Sequence, residues 1–459
     1  MPAASLWSGA RRWVATFREA GMQAGDRLVV ALPASPAFLQ VLLAGLWEGL
    51  TLAFLPPAES VDIANVLNHL DARAAVALPS CSRSNSYSHS QEIEAVWHPD
   101  SCCGPQEGPV RLRTSQSPPT PDIRFLLRTS GTTGPPRWAA LSDANLFAVL
   151  DSHADRLGLQ TDSRSCEEPA RLISVLPWHH AFGLVIELLP ALLAGAEIVR
   201  DPSNGRDPEN IQRLVREHGS THLSCVPLTL QKLVQRPDGE ALIQTLGGVV
   251  GGAPVSQALA SLLTATRFQV GYGQTEASPG IALGEPGVWR PHYLGRALGC
   301  QVRLSQDGVL EFSGSNACAG WWTEQGLEPL APDRWVRTGD LVTMEGEDLI
   351  FVGRADDCFK LSNGRAIEAG RWEGRLREAF PQLHDALLYS PDGDLLSVGY
   401  LPHQEAAPPD NDAFRMLLQG LGSRLASVAE LPTAVCRYTP KGELDRAATR
   451  QLLRTNRES

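Results

Sequence analysis

The stretch Thr129-Ser130-Gly131-Thr132-Thr133-Gly134 directly follows the apolar run 123–127. Small hydroxyl and glycine residues after a strand leave backbone N–H groups uncovered, and such a nest wraps phosphate oxygens. The hydroxyls add donors, and Arg137 adds positive charge close by. No Gly-Lys-Ser/Thr follows, which excludes a Walker A loop, and the Gly-x-Ser-x-Gly of a nucleophile elbow is absent here. A plain Ser/Thr-rich turn has the same composition, so this segment alone is ambiguous.

A second segment, Gly271-Tyr272-Gly273-Gln274-Thr275-Glu276-Ala277, follows the strand-like run 268–270. It sets a hydroxyl and a carboxylate together at a strand's end. Glu276 suits Mg2+ beside a phosphate, and Tyr272 can stack on a base. Shortly upstream, Gly251-Gly252-Ala253-Pro254 lacks the side chains that would keep a flat ligand off the backbone. A strand-to-helix turn accounts for that tetrapeptide equally well.

These segments need strands behind them, and the pattern supplies them. The apolar stretches 28–55 and 172–199 are broken by prolines and by Glu48, His179, His180 and Glu187. Neither offers the roughly 20 clean apolar residues of a membrane span. The first reads as strand 28–32, helix 37–47 and strand 51–54, which is α/β material with buried strands. Residues 79–120 are rich in Ser, Pro and Cys and read as a long surface connection. Strand–helix alternation returns over 123–270, as a parallel sheet requires. Short segments with frequent Gly and Trp over 293–352 read as a β-rich subdomain. Beyond 353, helical patterns at 370–380 and 411–428 with short strands predict a small α/β unit.

At roughly 150 residues per domain, 459 residues make about three folding units. The formal net charge is −11 and no Lys/Arg-rich block occurs, which argues against a nucleic-acid partner. Hydrophobic content of 43% argues against disorder. Nine cysteines without a Cys-x-x-Cys spacing point to a reducing, cytoplasmic setting. Residues 1–25 read as an amphipathic helix carrying Arg11, Arg12 and Arg18, without the apolar core of a signal peptide. No membrane association is expected. His218 and His222 have the spacing of two metal ligands, but Gly219 interrupts the helix and no third ligand is apparent.

Together with Arg337-Thr-Gly-Asp-Leu341, Gly353-Arg-Ala-Asp-Asp357 and Pro440-Lys-Gly-Glu-Leu-Asp-Arg446, the two segments resemble the ordered motifs of adenylate-forming enzymes. That superfamily includes acyl- and aryl-CoA ligases, peptide-synthetase adenylation domains and luciferases. The likeness runs from Gly25 to Arg446. It implies a large N-terminal AMP-binding domain (1–354, with 293–352 its β-rich part) and a small mobile C-terminal lid (355–459). It also implies that a carboxylic acid attacks ATP to give an acyl-adenylate and pyrophosphate, after which CoA captures the acyl group. Alternatives are transfer to the phosphopantetheine of an acyl carrier protein, or a nucleotide-binding pseudoenzyme.

By the same resemblance, Thr129, Ser130, Gly131, Thr132, Thr133, Gly134 and Arg137 would hold the ATP phosphates. Thr275 would touch the α-phosphate, and Glu276 would bind Mg2+. Tyr272, Gly273, Gly252 and Ala253 would flank the adenine. Asp340 would grip the ribose hydroxyls, a task suited to two acceptor oxygens, and Arg354 would add a ribose or phosphate contact. Asp356 falls at the hinge, and Ser362, Asn363, Gly364 and Arg365 match the loop that lines the CoA channel. His180, in Trp178-His-His-Ala-Phe-Gly183, would abut the acyl pocket, with Trp178, His179, Phe182 and Leu228 bordering it.

Three positions depart from the family pattern. Arg137-Trp138 replaces Lys-Gly, and Asp143 stands where a His is common. Glu443 occupies the place of a lysine that bridges the substrate carboxylate and the α-phosphate. A carboxylate there repels both groups. One pair of charges about 4 Å apart is worth about 4 kcal/mol at an effective dielectric near 20. Lys441, two residues earlier, is expected to substitute for the missing cation.

Overall fold

The computed structural model describes residues 1–58, 62–79, 95–100, 105, 111–120, 122–129, 137–159, 170–255, 257–331, 333–362, 366–380, 382–392, 394–402, 411–419, 425–438 and 444–455. Two large sheets organise them. The first has eight strands, in the order Gly326–Pro329, Gly320–Thr323, Trp138–Ser142, Ile123–Arg128, Thr51–Phe54, Arg27–Ala31, Ala74–Ala77 and Val96–Trp97. The second has eleven. It runs from Gln301–Leu304 through Val309–Ser313, Val336–Glu345, Asp348–Arg354, Tyr293–Ala297 and Ala282–Leu283 to Arg267–Tyr272, Gly247–Gly251, His222–Ser224, Arg171–Ser174 and Glu197–Arg200.

The strand Arg27–Ala31 is buried along its whole length, because it lies parallel between Thr51–Phe54 and Ala74–Ala77. Such strands carry apolar residues on both faces. The helix Pro36–Trp47 starts where Ser35 accepts a hydrogen bond from the Phe38 N–H, with Pro36 in the first turn. A core cluster joins residues of both sheets. In it Phe54 packs on Phe38 and Phe125 at 5.4 and 5.3 Å, and Phe38 meets Trp178 at 5.5 Å.

The expected strand, helix and strand at 28–54 occur within one residue of their anticipated bounds. Three features differ from expectation, two of them for evident physical reasons. Within the connection 79–120, Val96–Trp97 is a strand, parallel to Ala74–Ala77; two residues give no readable periodicity. The helix expected over 411–428 ends at Leu418, and Leu425–Glu430 is instead a strand parallel to Leu396–Pro402. Gly420 and Gly422 stand between them, and glycine interrupts a helical run. The strands of 293–352 form no sheet of their own. Gly320–Thr323 and Gly326–Pro329 join the eight-stranded sheet, and the others join the eleven-stranded one. Beyond Arg354, the described strands pair only among themselves. No helix among the described residues is long and apolar enough to cross a membrane.

Candidate active site

The parallel pair Gly247–Gly251 and Arg267–Tyr272 aligns Gly251 with Gly271, so Gly252 and Ala253 emerge beside Tyr272 and Gly273. Gly252, Ala253 and Gly273 are exposed there. Gly273 cannot carry a side chain, because a Cβ would fall 1.4 Å from the Pro279 carbonyl oxygen. The loop 273–280 is thereby folded back on the strand that precedes it, and Thr275 and Glu276 sit in a short 3-10 turn at its head.

Tyr272 Oη donates to Asp340 Oδ2 at 2.6 Å, and Arg354 Nη1 donates to Asp340 Oδ1 at 2.8 Å. Three residues distant in sequence thus form one hydrogen-bonded group. Antiparallel pairing of Val336–Glu345 with Asp348–Arg354, which aligns Asp340 with Arg354, places two of them. The Asp340 N–H donates to Thr338 Oγ1 at 3.0 Å and further fixes the carboxylate. Burial and the Asp340 carboxylate together hold the Tyr272 hydroxyl well above its ordinary range. Each Asp340 oxygen keeps a second lone pair for a ligand hydroxyl.

Glu276 makes no ion pair among the described residues. Burial raises its carboxyl pKa, and Arg137 and Arg354 act in the opposite direction. A half-buried carboxylate without its own cation fits a hard divalent ion such as Mg2+.

Thr129 is buried, and its N–H donates to the Arg137 carbonyl at 2.8 Å, which joins the two ends of the phosphate-loop segment. Ser130, Gly131, Thr132, Thr133 and Gly134 lie outside the described residues. Arg137 stacks its guanidinium 3.7 Å from the Trp321 ring centroid, while Trp138 is buried in the core. A planar guanidinium suits this stacking better than an ammonium does, which gives the Arg137-Trp138 departure a structural reason. Asp143 has one too: it takes two hydrogen bonds from Arg124, at 2.8 and 2.7 Å.

The turn Trp178-His179-His180 leaves the strand Arg171–Ser174 and enters a π-helix, Phe182–Leu188. Such helices are rare and cluster at functional sites. His180 is exposed and its ring centroid lies 4.4 Å from that of His179. Burial, with His180 and Arg200 nearby, lowers the His179 pKa to about 3, so His179 is neutral. Trp178, expected to border the acyl pocket, is buried, and its Nε1 donates to Ser174 Oγ at 2.9 Å. Leu228 instead projects into solvent. His218 ends one helix and His222 is buried in the next strand, so the two stand on different elements.

Ser362 is exposed and no contact ties it to this group; Asn363, Gly364, Arg365, Lys441 and Glu443 lie outside the described residues, as does the side chain of Asp356. A network of Ser174, Glu187 and Arg200 behind Trp178 was not anticipated from sequence. Its one signal was Glu187, a lone acid within an apolar run.

A family model described as AMP-binding enzyme matches residues 4–310. A feruloyl-CoA synthase of Amycolatopsis sp. is 27% identical over 386 residues, covering 78% of this chain and 74% of the relative. A probable non-canonical nonribosomal peptide synthetase of Salinispora arenicola is 26% identical over 75% of this chain, which spans 4% of that protein. Among solved structures, ATP-bound MatB of Rhodopseudomonas palustris superposes with a TM-score of 0.78 at 20% identity, covering 98% of this chain and 93% of its own.

Proposed function

Because this chain belongs to the family of AMP-binding enzymes, we propose that it is an AMP-forming acid–thiol ligase acting on a small carboxylic acid, ATP and CoA. The carboxylate oxygen attacks the α-phosphorus, and the bond to pyrophosphate breaks. A thiolate then attacks the acyl carbon of the adenylate, AMP leaves, and the thioester forms.

The observation that carries this reading is the Tyr272–Asp340–Arg354 group beside Glu276 and the bare Gly252–Ala253 edge. In it Asp340 accepts from the ribose hydroxyls, while Arg354 and Tyr272 hold its carboxylate in place. Tyr272 and the Gly252–Ala253 backbone enclose the adenine. Thr129, Ser130, Gly131, Thr132, Thr133, Gly134 and Arg137 take the phosphates, and Thr275 donates to the α-phosphate. Glu276 would hold Mg2+, which supplies charge neutralisation at the phosphates. His180 faces the acid, Lys441 supplies the cation opposite Glu443, and Asp356 with Ser362, Asn363, Gly364 and Arg365 serves the thiol-accepting pose. Transfer to a carrier protein is the second reading, favoured by the match to a peptide synthetase.

Acyl-hydroxamate formation from ATP, hydroxylamine and a panel of acids tests the first step. No hydroxamate with any acid, while ATP still binds, would leave a nucleotide-binding pseudoenzyme. Free CoA and a phosphopantetheinylated carrier, compared as acceptors, separate the two thiol readings.

A further inference from the structure

A small cavity has Leu157, Leu172, Ile186 and Val249 on its apolar side and Glu187, His222 and Ser224 on its polar side. Its volume is about 10 Å³, the room of a single water-sized group. Two of its walls belong to elements that lead to residues of the candidate site. Val249 stands two residues before Gly251, the last residue of a strand that is followed directly by Gly252–Ala253. Ile186 and Glu187 belong to the π-helix that begins just after His180. At the top, a Cβ on Gly251 would lie 3.6 Å from Phe182 Cζ, so helix and strand meet there over bare backbone.

Glu187 is buried and half-used. Its Oε1 accepts from Ser174 Oγ at 2.5 Å, and its Oε2 has no hydrogen-bond partner. Ser174 Oγ in turn accepts from Trp178 Nε1 at 2.9 Å and Arg200 Nη1 at 3.2 Å. Arg200 also donates to the carbonyls of Ser174 and Leu176 and to Asn204, so its guanidinium is committed. Nearby, Ser224 Oγ accepts from the Val249 N–H, and His222 Nδ1 is engaged with Thr221 Oγ1 at 2.8 Å. Burial pushes the Glu187 carboxyl up to about 8, so it carries its proton at neutral pH. With Oε1 taking the serine proton, the carboxyl proton belongs on Oε2.

We propose that Glu187 is a specificity-determining residue, whose Oε2 donates a hydrogen bond to an uncharged oxygen at the far end of the acid. A hydroxyl, ether or carbonyl oxygen fits; the inference rests on the acid-ligase reading above and names its substrate class. A plain alkyl or aryl end leaves the buried Oε2 unpaired, and an unpaired buried polar group is costly. A second carboxylate would need desolvation with no free cation among the described residues to meet it, since Arg200 is committed and burial lowers the His222 pKa.

Pyrophosphate release is to be measured for wild type, Glu187→Gln and Glu187→Leu on matched pairs: benzoate and 4-hydroxybenzoate, cinnamate and 4-hydroxycinnamate, hexanoate and 6-hydroxyhexanoate. Adipate serves as the charged control. In wild type, the best-fitting pair favours the hydroxylated acid by at least about tenfold in kcat/KM. Glu187→Leu brings that ratio to about one, and Glu187→Gln, which still donates, retains most of it. Adipate is used poorly. Equal ratios in wild type and Glu187→Leu overturn the proposal. So does the absence of any hydroxyl preference in wild type, whether or not the leucine variant folds. If wild type releases no pyrophosphate with any acid, the ligase reading fails first, and the inference goes with it.

Discussion

Asp340 is shared at the residue scale between Tyr272 and Arg354, and that sharing pre-orients its carboxylate. Hydrogen bonds to a charged group contribute about 1.5–3 kcal/mol. Asp340→Asn should therefore raise the KM for ATP by roughly ten- to a hundredfold, measured in pyrophosphate exchange. Lys441 and Glu443 make a sharper residue-level test. If Lys441 supplies the bridging cation, Lys441→Ala lowers exchange by about a hundredfold or more, and equal rates would contradict that role. Behind the site, a Cβ on Gly280 would stand 2.5 Å from His153 Cε1, so the imidazole occupies the space a side chain would need. Gly280→Ala should cost about 1–3 kcal/mol by overpacking. The double variant with His153→Ala should be more stable than the sum of the two singles by at least about 0.5 kcal/mol in urea unfolding. Additive costs would show that the two residues do not compete for that space.

Buried titratable groups at the scale of elements make stability pH-dependent. Glu187, on the π-helix, has a folded-state pKa near 8, above the ordinary 4.5, so the native state holds the extra proton between those values. Stability from this group is present below pH 4.5 and lost as pH rises toward 8. His153 and His179 run the opposite way. Burial lowers them to about 4 and about 3 from 6.5, so their contribution is present above 6.5 and lost as pH falls. Two protons outweigh one below pH 6.5, so these three groups place the stability maximum close to 6.5. Urea midpoints should fall from pH 6.5 to 8 in wild type and stay flatter in Glu187→Gln; identical slopes would remove Glu187 as the cause. Much of this element level was legible. The period of 28–54 identified strand, helix and strand, because buried strands and an apolar helix differ in length and punctuation. The π-helix Phe182–Leu188 was not legible, since apart from Glu187 its residues are apolar or glycine and give no periodic face.

For the whole molecule, the sequence motifs named residues of the candidate site but not the pairings that gather Tyr272, Asp340 and Arg354. Tyr272 and Asp340 meet only because the eleven-stranded sheet carries Arg267–Tyr272 and Val336–Glu345 in one surface. The strand Gly320–Thr323, which pairs with Trp138–Ser142 and delivers Trp321 to Arg137, is equally a long-range event that local pattern does not encode. The composition takes on meaning at this scale too. With three lysines among 40 basic residues, Arg137 looks like a simple exchange of cations, yet its stacking on Trp321 is specific to a planar guanidinium. Glu443 is different, because there the sign of the charge reverses. Acid-dependent exchange of labelled pyrophosphate into ATP bears most directly on whether the assembled chain adenylates. Exchange is expected with at least one carboxylic acid, strictly dependent on that acid and lost in Asp340→Ala. ATP binding without exchange for any acid across the panel would contradict that expectation.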